Sequence, residues 1–126
     1  MLGAKDAVAT IAVRDLKAAK QFYEGTLGLK VAENEQEPEA LTYHTGSSKI
    51  LVYQSQYAGT NKATAATWGV GNDIEKEVQT LKNKGVTFEH YNMPGMTLKG
   101  DVHVADGMKA AWFKDPDGNI LALVSG

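Results

Sequence analysis

The sequence predicts an α+β fold built from two copies of one strand–helix–strand–hairpin (βαβββ) module. The pattern runs through residues 7–54 and starts again near residue 66, and the glycines that end the two predicted helices, Gly28 and Gly85, lie 57 residues apart. Two copies at so long a spacing favour a pair of modules over a solenoid. We therefore predict one domain over residues 1–126, with module one at about 5–55, a linker at about 55–65 and module two at about 66–126.

Module one begins with an apolar run at residues 7–14 that predicts a buried strand. Asp15 offers an N-cap, because its carboxylate can accept from free amides of the first helical turn. The helix that follows places apolar side chains on one face, at Leu16, Ala19, Tyr23 and Leu27. Residues 29–32 predict a second strand and residues 41–54 a hairpin, with an exposed acidic loop at 33–39 between them.

Module two repeats this order and adds an insertion. Residues 66–70 and 86–90 predict strands, and Asn72 with Glu75 predicts a capping box at the start of the helix between them. Residues 91–108 are interpreted as a loop and one short strand outside the repeat. Within them, the methionine-rich residues 93–96 could form a mobile flap over the pocket, and packing under a loop is the equal alternative. The module then closes with a hairpin around the turn at residues 115–119, where proline and glycine favour a tight turn.

Composition excludes several classes of function. The net charge is -2 with both signs mixed, which argues against a nucleic-acid partner. The chain has no cysteine, so disulfides, zinc–cysteine sites, iron–sulfur clusters and thiol nucleophiles are excluded. The sequence shows neither a signal peptide nor a membrane-length apolar run, so we expect no membrane partner and a cytoplasmic protein.

Two motifs about a hundred residues apart resemble the glyoxalase/bleomycin-resistance/extradiol-dioxygenase (vicinal oxygen chelate) superfamily. One comprises Val13-Arg14-Asp15-Leu16 with Phe22-Tyr23 and Leu27-Gly28-Leu29, and the other runs from Trp112 to Leu121. The resemblance covers essentially the whole chain. It implies a curved mixed sheet with a concave cavity, helices outside and a homodimer. It does not fix the reaction, because the superfamily includes lyases, isomerases, dioxygenases and drug-binding proteins.

The resemblance also implies that this chain lacks the family's metal site. The four ligand positions fall on Val8, Val52, Ala66 and Ala122, the second with an uncertainty of one residue. Alanine and valine offer no oxygen or imidazole donor to a divalent ion. We therefore expect no metal and no cofactor. The alternative is a rebuilt site that uses His44, His90 or His103.

His103 and Asp101 are the candidate catalytic pair. They alternate along an extended segment, so both could face one space. A carboxylate beside an imidazole would fix the ring and raise its basicity, as a general base requires. The plainer interpretation is that all three histidines lie at strand ends with ordinary hydrogen bonds.

The emptied ligand positions suggest an apolar slot for a flat ligand. Trp68 follows Ala66 by two residues and would face the same space, which suits stacking. Tyr57 and Asn61, in the linker, could bind a ligand at the rim, and Lys99 and Lys109 could pair with an anionic one. Trp68 filling core volume and a solvated linker are the alternatives.

These observations lead to three functional hypotheses. The first is a metal-free dimer that binds a small organic, possibly aromatic, molecule in its sheet cavity. The second is a lyase, isomerase or dioxygenase that uses His103 and Asp101 or a rebuilt metal site. The third is a structural or regulatory dimer without a ligand.

Overall fold

A computed structural model describes residues 1–32 and 40–126 of the chain. The described residues form two compact units, Met1–Asn61 (the N-terminal unit) and Lys62–Gly126 (the C-terminal unit). Each unit combines one mixed sheet with one α-helix, so the predicted α+β fold is confirmed. The predicted acidic loop at 33–39 lies outside the described residues.

The N-terminal unit has the predicted βαβββ connectivity. Its strands are β1 (Ala9–Val13), β2 (Lys30–Val31), β3 (Ala40–Thr45) and β4 (Ser48–Gln54). They lie in the order β1-β4-β3-β2, with β1 parallel to β4 and the other pairs antiparallel. The helix therefore connects the two edge strands of this sheet.

The helix of the N-terminal unit begins as predicted and then changes type. Asp15 caps α1 (Leu16–Lys20), accepting a hydrogen bond from the Lys17 amide at 2.9 Å. The chain continues as a π-helical turn over Gln21–Thr26, and Gly28 follows with a φ of 77°. A single α-helix was predicted because the apolar spacing fits 3.6 residues per turn and does not reveal a wider turn.

The π turn carries a buried pair of tyrosines. Tyr23, inside this turn, stacks on Tyr43 of β3 with 6.1 Å between ring centroids, and both side chains are fully buried. The Tyr43 hydroxyl donates a hydrogen bond to Glu24 Oε2 at 3.0 Å. The turn thus attaches the helix to the sheet by both stacking and a charge-assisted hydrogen bond.

We expect Tyr43 to make the protein less stable above about pH 10. Burial, and then the hydrogen bond and charge of Glu24, raise the pKa of Tyr43 well above its ordinary value. The folded state therefore keeps a proton that the unfolded chain releases near pH 10, and stability present below that pH is lost as the pH rises further. Urea unfolding at about pH 8 and about pH 11 should show a larger loss for the wild type than for Tyr43→Phe. Tyr53→Phe is the control, because it alters an exposed ring of the same unit and should behave like the wild type. An equal loss of stability in the wild type and in Tyr43→Phe would contradict this account.

The C-terminal unit repeats the module and enlarges it. Its elements are β5 (Thr64–Gly69), α2 (Ile74–Asn83), β6 (Phe88–Glu89), β7 (Thr97–Lys99), β8 (Val102–Ala105), β9 (Met108–Lys114) and β10 (Ile120–Val124). The strand order is β5-β10-β9-β8-β7, and β6 also pairs with β9. Without β7 and β8, the order β5-β10-β9-β6 matches that of the N-terminal unit.

Two predictions about this unit are wrong. Residues 91–108 lie outside the repeat as predicted, but they contain a two-stranded hairpin that joins the sheet and not one short strand. The predicted capping box is also absent: a 3₁₀ turn over Gly71–Asp73 precedes α2, and the N-cap residue Asp73 makes no side-chain cap bond. The Glu75 carboxylate instead pairs with the Lys109 ammonium on β9, because the two side chains lie close in the folded unit.

The closing turn of the chain is held by one buried carboxylate. Asp115 Oδ1 accepts from the backbone amides of Asp117 and Asn119, both at 2.9 Å, and Oδ2 accepts from the Asn119 side-chain amide at 2.8 Å. Gly118 supplies the positive φ of 87° that the turn requires. This turn fixes the register of β9 and β10. None of the described helices has the length and apolar content of a membrane-spanning helix.

Candidate functional site

The register of the C-terminal sheet separates residues that were predicted to share a slot. Ala66 pairs with Leu121, and Trp68 pairs with Leu123. Ala122 lies between these leucines on β10, so strand alternation places its side chain on the opposite face. The sheet therefore does not bring Trp68 and Ala66 together with Ala122. A register shift between Ile120 and Leu121 accompanies this pairing, and sequence alternation alone could not reveal it.

The two predicted positions of the N-terminal unit are also separated. Val8 precedes β1 and is 43% exposed, whereas Val52 is fully buried. Val52 pairs with Ile11 and shares its strand face with Ile50, which in turn pairs with Tyr43. That face is covered by Tyr23 of the π turn, so Val52 belongs to the core beneath the helix. Thr10 and Leu51 form the neighbouring pair on the other face.

The residues present do not fit a metal ion. Valine and alanine stand at the four positions that the resemblance assigns to ligands. Within residues 1–32 and 40–126, no group of three His, Asp or Glu side chains could hold a metal. His44 is exposed on β3 of the N-terminal unit, while His90 and His103 of the C-terminal unit have different partners.

Asp101 does not pair with His103. Its carboxylate contacts Lys82 Nζ at 2.6 Å and His90 Nε2 at 2.7 Å. Hydrogen bonds from Lys82 and then His90 hold the pKa of Asp101 below its ordinary value. Asp101 follows Gly100, whose φ is 63°, in the turn between β7 and β8. The extended alternation assumed from the sequence therefore does not apply to Asp101, and its carboxylate ties the inserted hairpin to α2.

His103 is buried and held in one tautomer. It is 1% exposed, and its Nε2 accepts a hydrogen bond from the Tyr91 backbone amide at 2.9 Å. A ring nitrogen that accepts cannot carry a proton, so this bond assigns the proton of the neutral ring to Nδ1. Nδ1 is buried and has no hydrogen-bond partner in the described part of the chain. His103 therefore supplies an acceptor to the backbone where β6 leaves the sheet.

Three rings pack together around His103. Its ring meets Trp112 edge-on with 4.9 Å between centroids and lies roughly parallel to Tyr91 at 6.1 Å. Tyr91 in turn meets Trp112 edge-on at 5.4 Å. The Trp112 indole N–H donates to Thr64 Oγ1 on β5 at 3.2 Å. The position of Trp112 is thus fixed by contacts on two sides.

A cavity of about 390 Å³ lies beside these rings, entirely within the C-terminal unit. We call it the Trp112 cavity. Its aromatic and apolar walls are Trp112, Tyr91, Met93, Ile120 and Ala63. Its two polar lining residues are Thr64 and Lys62. Burial, and then the charge of Glu89, raise the pKa of Tyr91, so its hydroxyl stays protonated at neutral pH.

Sequence reasoning missed Trp112 as a site residue, although a signal was present. Trp112 pairs with Ala122 across the closing hairpin. The turn that joins β9 and β10 was predicted from the sequence. Counting outward from it along both strands would have paired Trp112 with Ala122 and placed both side chains on the same face of the sheet.

The other predicted residues take different places. Tyr57 is 68% exposed, and its carbonyl accepts the Thr60 hydroxyl at 2.7 Å. Tyr57 and Asn61 belong to the N-terminal unit, whereas the cavity begins at Lys62. Of the predicted flap, Met93 lines the cavity. The two lysines suggested for an anionic ligand differ: Lys109 is paired with Glu75, and Lys99 is exposed on β7.

Comparisons with solved structures agree with this architecture. An integron cassette protein from the mobile metagenome of a Halifax Harbour sewage outfall has a TM-score of 0.71 at 18% identity, with coverage of 97% of this chain and 99% of that one. A glyoxalase/bleomycin resistance protein/dioxygenase from Alicyclobacillus acidocaldarius has a TM-score of 0.70 at 19% identity, covering 98% and 93%. Fosfomycin resistance protein FosX from Mesorhizobium loti has a TM-score of 0.67 at 13% identity, covering 96% and 91%. At these identities the likeness shows the fold alone.

Comparison at the level of sequence identifies the family. No curated protein matches the chain. The family model described as the glyoxalase/bleomycin resistance protein/dioxygenase superfamily matches residues 6–123. With the motifs at both ends of that range and two βαβββ units within it, the chain belongs to the glyoxalase/bleomycin resistance protein/dioxygenase superfamily.

Proposed function

We propose that this protein binds a small planar organic molecule in the Trp112 cavity without the help of a metal. The observation that carries the proposal is the cavity itself, about 390 Å³ with two aromatic walls. Ligand sites are commonly concave, mainly apolar and of roughly 300–1,000 Å³, with a few polar groups that orient the ligand. A flat ring fits such walls because offset or edge-to-face contacts between rings are favourable.

The packing around the cavity supports a site that exists before the ligand arrives. Trp112 is held by Thr64 on one side and His103 on the other, so little side-chain freedom remains to be lost on binding. The lack of donors at the family's ligand positions supports binding without a metal. The homodimer and the cytoplasmic location expected from the sequence are part of the same proposal.

A small-molecule ligand is compatible with the names of two structures that share the fold. Two of them are fosfomycin resistance proteins, from Mesorhizobium loti and Listeria monocytogenes. Their identity to this chain is 13% and 12%, so the likeness supports the fold, and the small-molecule ligand rests on the cavity itself.

Fluorescence and calorimetry test the proposal together. The chain has two tryptophans, so Trp68→Phe leaves Trp112 as its only indole, and Trp112→Phe leaves Trp68. We expect planar aromatic compounds to quench Trp68→Phe and to leave Trp112→Phe nearly unchanged. Calorimetric binding to the wild type should be the same with and without a chelator.

Two outcomes would overturn the proposal. If only Trp112→Phe is quenched, the ligand binds near Trp68 and not in the Trp112 cavity. Loss of binding in the presence of the chelator would show that a metal takes part.

A further inference from the structure

The Trp112 cavity has one charged side chain in its lining, Lys62. Three other lysines of the C-terminal unit have acidic partners: Lys82 with Asp101, Lys109 with Glu75 and Lys114 with Glu89. Lys62 has no ion-pair partner among the residues that the structure describes. Lys62 is exposed at the rim of a mainly apolar cavity, and a lysine there without a paired carboxylate favours an anionic ligand.

Glu89 is an acidic residue that lies opposite Trp112 on the neighbouring strand, and it is already in an ion pair. Glu89 pairs with Trp112 across β6 and β9, and its charge contributes to the raised pKa of Tyr91. Its carboxylate lies 3.3 Å from Lys114 Nζ. Because that ion pair compensates Glu89, the net charge at the cavity is set by Lys62.

We propose that the ligand is an aromatic carboxylate whose ring lies against Trp112 and Tyr91 and whose carboxylate pairs with Lys62. This inference rests on the proposed function and adds the charge of the ligand. A single ammonium matches a single negative charge, so a monoanion fits better than a multiply charged phosphate ester. The apolar walls at Ile120, Ala63 and Met93 favour an unsubstituted ring edge over a polyhydroxylated one.

A matched pair of probes separates this inference from the proposed function. Naphthoate and its neutral analogue naphthalenemethanol share one ring system and differ in charge. Both would be titrated by calorimetry into the wild type, Lys62→Gln and Lys99→Gln. Lys99 serves as the control because it is an exposed lysine of the same unit that does not line the cavity.

We expect naphthoate to bind the wild type about fivefold more tightly than the alcohol, since a partly exposed ion pair contributes about 1 kcal/mol. Lys62→Gln should remove that preference and leave the affinity for the alcohol unchanged, while Lys99→Gln should behave like the wild type. Equal affinity for the two probes in all three proteins would overturn the inference and leave the proposed function standing. A preference lost in Lys99→Gln instead of Lys62→Gln would overturn the assignment to Lys62. If neither probe binds the wild type, both the inference and the proposed function are wrong.

Discussion

Asp115→Ala is expected to lower the free energy of unfolding by about 3 kcal/mol. The substitution removes the carboxylate of a residue that is 5% exposed, and with it the acceptor of the hydrogen bonds from Asp117 and Asn119. Two backbone amides and the Asn119 side chain would then lose their acceptors, and Asn119 is itself 6% exposed. Leaving a buried donor unpaired costs more free energy than the hydrogen bond had contributed to stability. Urea unfolding followed by circular dichroism measures the change.

Two further substitutions make this result specific to the carboxylate. Asp117→Ala changes a neighbouring acid whose contribution to the network is its backbone amide, so a change within about 0.5 kcal/mol is expected. Asp115→Asn keeps one side-chain acceptor and should fall between the wild type and Asp115→Ala. If Asp117→Ala destabilises the protein as much as Asp115→Ala, the network around Asp115 is not what holds this turn.

The turn also shows which parts of the fold a sequence can predict. The Asp115 turn and the Asp15 cap are local, because the residues that form each lie within five positions of one another. The module order follows from repeated local signals of this kind, and the α+β fold with it. Element boundaries differed by a few residues, and the π turn was missed because its apolar spacing is compatible with an α-helix.

The site was harder to predict because it depends on contacts between distant segments. The position of Trp68 relative to Ala122 depends on how β5 aligns with β10, including a register shift. The partner of Asp101 depends on where the inserted hairpin meets α2, which brings Lys82 and His90 to it. His103 was predicted to pair with Asp101, but its hydrogen bond is with a backbone amide rather than a side chain.

His103→Ala is expected to destabilise the protein by about 2–4 kcal/mol and to weaken binding in the Trp112 cavity. The substitution leaves the Tyr91 amide without its acceptor and opens a void against the Tyr91 and Trp112 rings. Trp112 and Tyr91 would then lose the ring that supports both of them. Denaturant unfolding gives the first effect, and titration with naphthoate gives the second.

Two more variants distinguish this positioning role from the acid–base role suggested by the sequence. His103→Gln retains a side-chain acceptor for the Tyr91 amide, so it should recover part of the lost stability and affinity. His90→Ala removes a histidine that is half-exposed and should change both quantities little. A role as general base predicts no such recovery, because glutamine cannot take up a proton. Recovery in His103→Gln would therefore mean that His103 acts by holding the two aromatic walls in place. Equal losses of stability and affinity in His103→Gln and His103→Ala would contradict this positioning role.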